Sequence, residues 1–133
     1  MNVPTELLYT EEHEWARLDD DGTVVVGVTD FASQQLGDVV YVELPAIDAE
    51  VVKGEAFGQV ESTKSVSDIC APVTGTIVEI NAALEDSPEM INGAPYEAGW
   101  MVRIRPESDP RAELADMLHP DEYTDHIANE DAD

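Results

Sequence analysis

The sequence contains few basic residues: only 6 of its 133 residues are Lys or Arg, against 30 Asp or Glu. The formal net charge is therefore −24 at pH 7. Such a chain is repelled by nucleic-acid phosphates and by anionic membrane surfaces, which excludes both as main partners. The apolar fraction of 43% is ordinary for a globular chain, so the acidity does not indicate disorder.

Cysteine and long apolar runs are also scarce. The single cysteine, Cys70, cannot form an internal disulfide, and we expect a small, half-buried residue rather than a reactive thiol. The apolar run at 24–28 is far shorter than the ~20 residues that cross a bilayer. No basic, apolar leader is expected, because Arg17 is the first basic residue. These features predict a cytoplasmic protein without a membrane partner.

The acidic excess suggests a particular cellular environment. Repulsion among carboxylates destabilises a compact fold in dilute buffer, whereas 1 M salt shortens the Debye length to about 3 Å. The charge of −24 therefore predicts a halophilic protein from a salt-rich cytoplasm, with a stability that rises with KCl concentration.

Alternation of apolar and polar residues predicts a mainly β protein. In the segment Thr23–Thr29, for example, Val24, Val26 and Val28 share one face, as expected for a half-buried strand. About seven such strands, separated by turns, favour a β-sandwich or a small barrel over a parallel α/β sheet.

Helices are predicted from their capping signals. Asp30 is expected to cap a helix at 31–36, and Ser87 to cap a helix that begins with Pro88. We expect a single domain of residues 1–133, with a core at about 9–106, C-terminal helices at about 109–128 and a frayed acidic end at 129–133.

The feature that points most directly to function is a lysine in a predicted turn. Two strand-like runs, Ala56–Glu61 and Val66–Ala71, flank the segment Ser62-Thr63-Lys64-Ser65, which places Lys64 at the tip of a hairpin. An exposed lysine is accessible to modifying enzymes, and acylation of its amine removes the charge and lengthens the side chain into an arm. Because the chain has only two lysines, this one is hard to interpret as an ordinary surface residue.

Other chemistries are not supported. The segment Gly58–Ser65 resembles a phosphate-binding loop, but Thr63 replaces its second glycine and no helix follows. His13, His119 and His126 lack the spacing of zinc ligands, so no metal site is predicted. We expect His13 to be a structural hydrogen-bonding residue and the other two to lie on the surface. No nucleophile–base constellation indicates a catalytic residue.

The residues around Lys64 resemble a known family. Val60–Ile69, followed by Ala71-Pro72-Val73 and Gly75, is similar to the lipoylation segment of glycine cleavage system H-proteins. Two positions depart from the family pattern, since Thr63 is often valine and Cys70 stands where tyrosine or asparagine is common, but neither removes the acceptor lysine. Further matching blocks extend the resemblance over about residues 9–125: Tyr9–Trp15, Gly27–Ala32, Leu36–Pro45, Leu84–Pro88, Pro95-Tyr96 and Gly99-Trp100.

The resemblance implies a lipoyl/biotinyl-type barrel-sandwich hybrid that carries lipoate in amide linkage on Lys64. The chain would be a carrier rather than an enzyme. Its arm would collect an aminomethyl group from the pyridoxal-phosphate glycine decarboxylase (P-protein) and deliver it to the tetrahydrofolate-dependent aminomethyltransferase (T-protein). Dihydrolipoamide dehydrogenase (L-protein) would then reoxidise the arm, and a lipoylating enzyme would be a fourth partner.

Two carboxylates are further candidate site residues under this resemblance. Family members are thought to fold the loaded arm into a surface cleft, where a cationic amine would favour Glu14 of the His13-Glu14-Trp15 block. Glu61, three residues before Lys64, is expected to help the lipoylating enzyme recognise the hairpin. Each could equally be a solvated acid in a chain with 30 of them.

Two alternatives to glycine cleavage remain open from the sequence. An H-like protein that relays lipoate to other proteins would present the same acceptor hairpin, and a non-lipoylated structural binding module would show no lipoyl mass increment. A monomer is expected, because transient docking to three enzymes requires an unoccupied surface.

Overall fold

Strands dominate the computed structural model of the protein, which describes residues 3–131. The nine strands within these residues are β1 (Leu8–Tyr9), β2 (Glu14–Leu18), β3 (Val24–Val28), β4 (Val39–Glu43), β5 (Glu50–Val51), β6 (Ala56–Ser62), β7 (Val66–Cys70), β8 (Gly75–Ile80) and β9 (Val102–Pro106). The five helices of the same residues are α1 (Asp30–Leu36), α2 (Ala83–Asp86), α3 (Met90–Gly93), α4 (Pro110–Glu113) and α5 (Pro120–Asp131). Strands of two residues, such as β1, are too short for an alternating pattern to reveal.

The strands form two antiparallel sheets. One sheet has the order β1-β2-β3-β9-β8-β5 and the other the order β4-β6-β7. Val26 and Ile104 of the larger sheet belong to the same buried cluster as Val42, Val60 and Ile69 of the smaller sheet. Burial of apolar surface contributes roughly 25 cal/mol per Å² and holds the two sheets together. The sandwich of short antiparallel strands that the sequence predicted is confirmed.

A second buried cluster attaches the C-terminal helix to the larger sheet. Tyr123 of α5 stacks on Tyr9 of β1, with ring centroids 4.6 Å apart and planes 9° from parallel. Trp15, Phe31 and Ile127 belong to the same cluster. Such aromatic pairs contribute ~0.5–1.5 kcal/mol beyond the burial of their area, so α5 is a packed part of the domain.

The helix N-caps predicted at Asp30 and Ser87 are wrong. Thr29, rather than Asp30, caps α1, because Thr29 Oγ1 accepts the backbone N–H of Ala32 at 3.2 Å and Asp30 is the first helical residue. Ser87 does not begin a helix but ends α2, where its backbone N–H donates to a helix carbonyl, and α3 begins after Glu89. Adjacent polar residues offer alternative caps, and the path of the chain selects between them.

The C-terminal helix is longer than expected. The sequence predicted a frayed end at 129–133, but α5 continues through Asp131, while residues 132–133 lie outside the described part of the chain. Near its end, Glu130 Oε2 lies 3.0 Å from Nε2 of His13. None of the helices within residues 3–131 has the length and apolar character needed to cross a bilayer.

Candidate functional site

The turn between β6 and β7 is built around the Ser62 side chain. Ser62 is buried, and its Oγ accepts hydrogen bonds from the backbone N–H groups of Lys64 and Ser65, each at 3.1 Å. The Ser62 N–H closes the turn by donating to the Ser65 carbonyl at 2.8 Å. A serine hydroxyl that binds nearby backbone amides in this way stabilises a tight turn. The turn therefore places Lys64 at the hairpin tip, as the sequence predicted.

The tip rests on the loop that follows α1. The backbone N–H of Thr63 donates to the Asp38 carbonyl at 3.1 Å. Asn92 fixes that loop from the other side: its Oδ1 accepts the N–H of Val39 at 2.9 Å, and its Nδ2 donates to the Gly37 carbonyl at 2.7 Å. Sequence reasoning missed Asn92, because its partners lie more than 50 residues away along the chain. The backbone beside Lys64 is thus held by the loop that follows α1, and Asn92 holds that loop in turn.

The two lysines of the chain differ in the environment of their amines. The Lys53 ammonium donates to the Glu113 carbonyl at 2.6 Å and to Asp116 Oδ1 at 2.8 Å. The side chain of Lys64 is exposed and lies over Gly37. A Cβ atom added to Gly37 would be 3.0 Å from Lys64 Cε, so the two residues are in close contact. Within residues 3–131, the Lys64 amine forms no hydrogen bond or ion pair, so it is available for acylation.

Glu14 is a buried carboxylate, with 1% of its surface exposed, and not a solvated acid. The Thr10 hydroxyl donates to its Oε1 at 2.7 Å, and the backbone N–H of Cys70 donates to its Oε2 at 3.2 Å. Burial raises the pKa of Glu14 above its ordinary value, against the opposite effect of these two hydrogen bonds. The carboxylate is therefore oriented, and a cationic partner would favour its ionised form.

Two neighbouring depressions lie beside the hairpin and beside Glu14. The hairpin groove, of about 280 Å³, lies between α1 and β7 and is lined by Ser65, Ile69 and Glu12, among others. The Glu14 cavity, of about 210 Å³, is lined by Glu12, Glu14 and Cys70, among others. Glu12 lines both, so the two depressions are neighbours. Ser65 in the hairpin groove and Cys70 in the Glu14 cavity are five residues apart, which at about 3.3 Å per residue gives a path of ~16 Å along β7 from the tip to the cavity.

Glu61 lies beside the hairpin tip on the outer face of the smaller sheet. It is exposed and directly opposite Tyr41 of β4 and Val66 of β7 in the strand register. Both apolar neighbours are 54% exposed. We call Tyr41, Glu61 and Val66 the tip patch, a carboxylate between two exposed apolar side chains next to the acceptor lysine. Exposed apolar patches rimmed by polar residues are typical of recognition surfaces.

Cys70 is half-buried, as predicted. Burial, followed by the charges of Glu14, Glu12 and Asp68, raises the pKa of its thiol above the ordinary value. The thiolate is the reactive form of cysteine, so this environment disfavours nucleophilic chemistry at Cys70. The prediction of an unreactive small residue is consistent with its environment.

The structure places His13 and His126 side by side, which the sequence analysis did not foresee. His13 Nδ1 lies 2.8 Å from the Tyr123 hydroxyl and its Nε2 lies 3.0 Å from Glu130, which confirms the predicted hydrogen-bonding role of His13. His126 is only partly exposed, and its ring centroid lies 5.6 Å from that of His13. The spacing of His126 and Glu130, four residues apart on one helix, is the signal that was overlooked.

Comparison with known proteins gives one consistent result. The profile of the family described as "Glycine cleavage H-protein" matches residues 7–130. The glycine cleavage system H protein of Anaeromyxobacter sp. (strain K) is 59% identical over 111 residues, which cover 84% of this chain and 85% of that protein. The H protein of Listeria monocytogenes serotype 4a (strain HCC23) is 50% identical over 123 residues, covering 92% and 96% of the two chains.

A solved structure agrees with these relatives in its fold. The crystal structure of a glycine cleavage system H protein from Mycobacterium marinum superposes with a TM-score of 0.86 at 40% sequence identity, and the match covers 95% of this chain and 99% of that one. This likeness confirms the lipoyl-type barrel-sandwich fold expected from the resemblance. Because sequence profile, relatives and fold agree over nearly the whole length, the chain belongs to the family of glycine cleavage system H-proteins.

Proposed function

We propose that Lys64 is the residue on which this chain, by its family a lipoyl carrier of the glycine cleavage system, holds lipoate in amide linkage. The observation that carries the proposal is the unengaged Lys64 amine on a fixed hairpin tip beside the hairpin groove. Lys53 does not suit this role, because its ammonium is bound to Glu113 and Asp116. When attached, lipoate supplies a disulfide that accepts the aminomethyl group of glycine as the disulfide is reduced.

The surroundings of Lys64 fit a long acyl arm. The hairpin groove begins beside the tip at Ser65 and follows β7, with the side chains of Leu36 and Ile69 in its lining. Apolar lining suits the methylene chain of such an arm, whose transfer from water is favourable by about 0.8 kcal/mol for each buried CH₂. An arm laid along this groove would be directed towards the Glu14 cavity.

Glu14 is the proposed partner of a cationic amine at the end of that path. Its carboxylate is oriented by Thr10 and by the Cys70 N–H, and burial disfavours its charge when no cation is present. A positively charged amine would restore the ionised form and be held in place by it. Exclusion of water from the Glu14 cavity would also slow hydrolysis of a labile group held there.

The role of Glu14 can be tested by the lifetime of the methylamine-loaded carrier. Replacement of Glu14 by Gln retains most of the volume and the oxygen that accepts from Thr10, but removes the charge. We expect faster hydrolysis in Glu14→Gln and Glu14→Ala than in the native chain. The exposed Glu43, on β4 outside both depressions, gives a matched control, Glu43→Gln, that should hydrolyse at the native rate. Equal lifetimes in all four chains would remove the proposed role.

Glu61 is proposed to mark the hairpin for the lipoylating enzyme. In the tip patch, its carboxylate stands between two exposed apolar side chains, which together offer one charged and two hydrophobic contacts beside the acceptor amine. Substitution Glu61→Gln is expected to slow lipoylation of the apo chain, whereas Glu43→Gln on the same sheet leaves the rate unchanged. A native rate in Glu61→Gln would show that the carboxylate is not recognised.

The proposed partners are the three enzymes of glycine cleavage: the glycine decarboxylase (P-protein), the aminomethyltransferase (T-protein) and dihydrolipoamide dehydrogenase (L-protein). The exposed side chains of the tip patch suit a monomer that docks transiently in the cytoplasm. A deletion strain complemented with Lys64→Ala should fail to grow on glycine as nitrogen source, whereas the native chain restores growth. Growth of the uncomplemented deletion strain, with loss of lipoate from other proteins, would instead favour a lipoate relay.

A further inference from the structure

At the C-terminal helix, beside the hairpin groove that His13 also lines, three side chains that can bind a metal converge. Glu130 joins two imidazoles: its Oε2 lies 3.0 Å from His13 Nε2, and its Oε1 lies 3.1 Å from His126 Nε2. One ligand atom from each of the three residues lies within 4.8 Å of the others. We call these residues the His–His–Glu cluster. It connects the last turns of α5 to the loop that precedes β2.

The tautomer of His13 is adjustable, as metal ligation requires. Its Nδ1 lies 2.8 Å from the Tyr123 hydroxyl, which in turn lies 2.7 Å from Thr29 Oγ1. Hydroxyl groups both donate and accept, so the His13 proton can reside on Nδ1 and leave the Nε2 lone pair free. A metal-bound imidazole ordinarily donates its second N–H to such a partner, which fixes the ring orientation. Tyr123 is fully buried, so this partner is held rigidly.

Electrostatics at the cluster also favour a cation. Glu12 and Glu130 exert negative potential on His13. The Glu11 carbonyl oxygen accepts a hydrogen bond from His126 Nε2 at 3.0 Å, and ligation of a metal through Nε2 would replace this hydrogen bond. The chain as a whole carries −24 charges. Two neutral imidazoles and one carboxylate leave a bound divalent ion with a net positive charge of one.

We propose that His13, His126 and Glu130 form a binding site for a divalent transition metal, of which zinc is the best match. Two imidazoles and a carboxylate, with an open fourth position, are a usual zinc ligand set, and imidazole selects zinc, nickel or copper over calcium and magnesium. Tetrahedral bonds of about 2.0–2.1 Å place ligand atoms ~3.3 Å apart. The two distances from Glu130, 3.0 and 3.1 Å, are already close to that value.

Binding requires only local adjustment. In the ligated form, each imidazole binds the metal through Nε2 and carries its proton on Nδ1. His126 and Glu130 lie at the surface, with side chains 28% and 37% exposed, and can rotate to close the remaining separation. His13 is fixed by its backbone, which has a φ of +75° and lies in the tight turn before Glu14. The metal would therefore join α5 to the turn that carries the proposed arm carboxylate.

The test is titration of the full-length chain with Zn²⁺, after treatment with a chelator and in the presence of excess Mg²⁺. Magnesium occupies exposed carboxylates without competing for imidazole, so it suppresses nonspecific binding to the acidic surface. We expect one equivalent of Zn²⁺ to bind and to raise Tm. Removal of a ligand in His126→Ala or Glu130→Gln should weaken this binding by at least about tenfold. Circular dichroism would establish that both variants fold.

Matched controls are available on the same part of the chain. His119 and Asp125 are exposed and lie outside the cluster, so His119→Ala and Asp125→Asn should retain native affinity. Titration with Co²⁺ gives a second readout, since its visible absorption reports imidazole ligation and should disappear in His126→Ala. The proposal is overturned if the native chain binds no Zn²⁺ under these conditions, or if it takes up Zn²⁺ no more tightly than His126→Ala and Glu130→Gln.

Discussion

The Ser62 hydroxyl accepts a hydrogen bond from the backbone N–H of Lys64 at 3.1 Å, so a buried side chain fixes the main chain of a residue whose own side chain is exposed. The carrier thereby combines a hydrogen-bonded attachment point with an exposed amine. A lipoylating enzyme binds a preformed turn at lower entropic cost than a flexible loop, because the turn is already ordered.

Replacement of Ser62 by Ala should therefore slow lipoylation. The variant leaves the N–H groups of Lys64 and Ser65 without their protein acceptor, which costs about 1–2 kcal/mol of turn stability and lowers the rate by roughly tenfold. The rate can be followed by intact mass during incubation of the apo chain with its lipoylating enzyme. Ser108→Ala, at an exposed serine far from the hairpin in the sequence and outside both depressions, is the control and should match the native rate. If Ser62→Ala is lipoylated as fast as the control, the order of the turn does not determine the rate of lipoylation.

Any side chain at Gly37 should strain the backbone, because this residue adopts φ +78° and ψ −156°, a region open almost only to glycine. Gly37→Ala is expected to destabilise the fold by ~1–3 kcal/mol, which lowers Tm by roughly 3–10 °C. Gly93, at the end of α3, has open space around its Cβ position and no positive φ, so Gly93→Ala should leave Tm nearly unchanged. Equal melting temperatures for the two variants would contradict this account of the α1–β4 loop.

The burial of Glu14 predicts a pH dependence with a defined sign. Burial raises its pKa above the ordinary value of 4.5, so the folded chain binds this proton more tightly than the unfolded chain. Its contribution to the free energy of unfolding therefore becomes less favourable as pH rises from 4.5 through the raised pKa. Relative to Glu14→Gln, the native chain should gain stability as pH falls from neutrality towards 4.5. Urea unfolding of both chains measures the difference, and a difference that stays constant or reverses contradicts the prediction.

The acidic surface predicts that salt stabilises the fold. Lys and Arg side chains form ion pairs with Asp19, Glu79 and Asp116, which leaves a large excess of carboxylates among the 30 acidic residues. Raising KCl from 0.1 to 1 M shortens the Debye length from about 10 to about 3 Å and weakens their repulsion. Tm should therefore rise with KCl. An equal rise in NaCl is expected if screening is the cause, and a Tm that does not rise would remove the halophile hypothesis.

Local patterns were enough to predict the features near Lys64. The alternation in β6 and β7, with a serine-rich segment between them, indicates a hairpin whose tip is Lys64, because every interaction that closes the turn lies within four residues. The helix at 31–36 and the C-terminal helices were likewise recognisable. Thr29 and Asp30 could each be the N-cap of α1, and the sequence alone did not decide between these two neighbours.

Contacts between distant segments could not be predicted in the same way. Glu14 and Cys70 are 56 residues apart, so nothing near Glu14 in the sequence distinguishes a buried carboxylate from a solvated one. His13 and Glu130 are 117 residues apart and meet where the cluster around Tyr9 and Tyr123 holds α5 against the larger sheet. Such proximity depends on tertiary packing, which a single sequence does not encode in any local pattern.

The most direct test of the central claim is the intact mass of the chain purified from its native host. The account predicts one lipoyl increment, located on Lys64 by peptide fragmentation and lost in Lys64→Ala, with Lys53→Ala retaining it. A chain without the increment, or one that keeps it in Lys64→Ala, would contradict the assignment of Lys64 as the lipoyl-bearing residue.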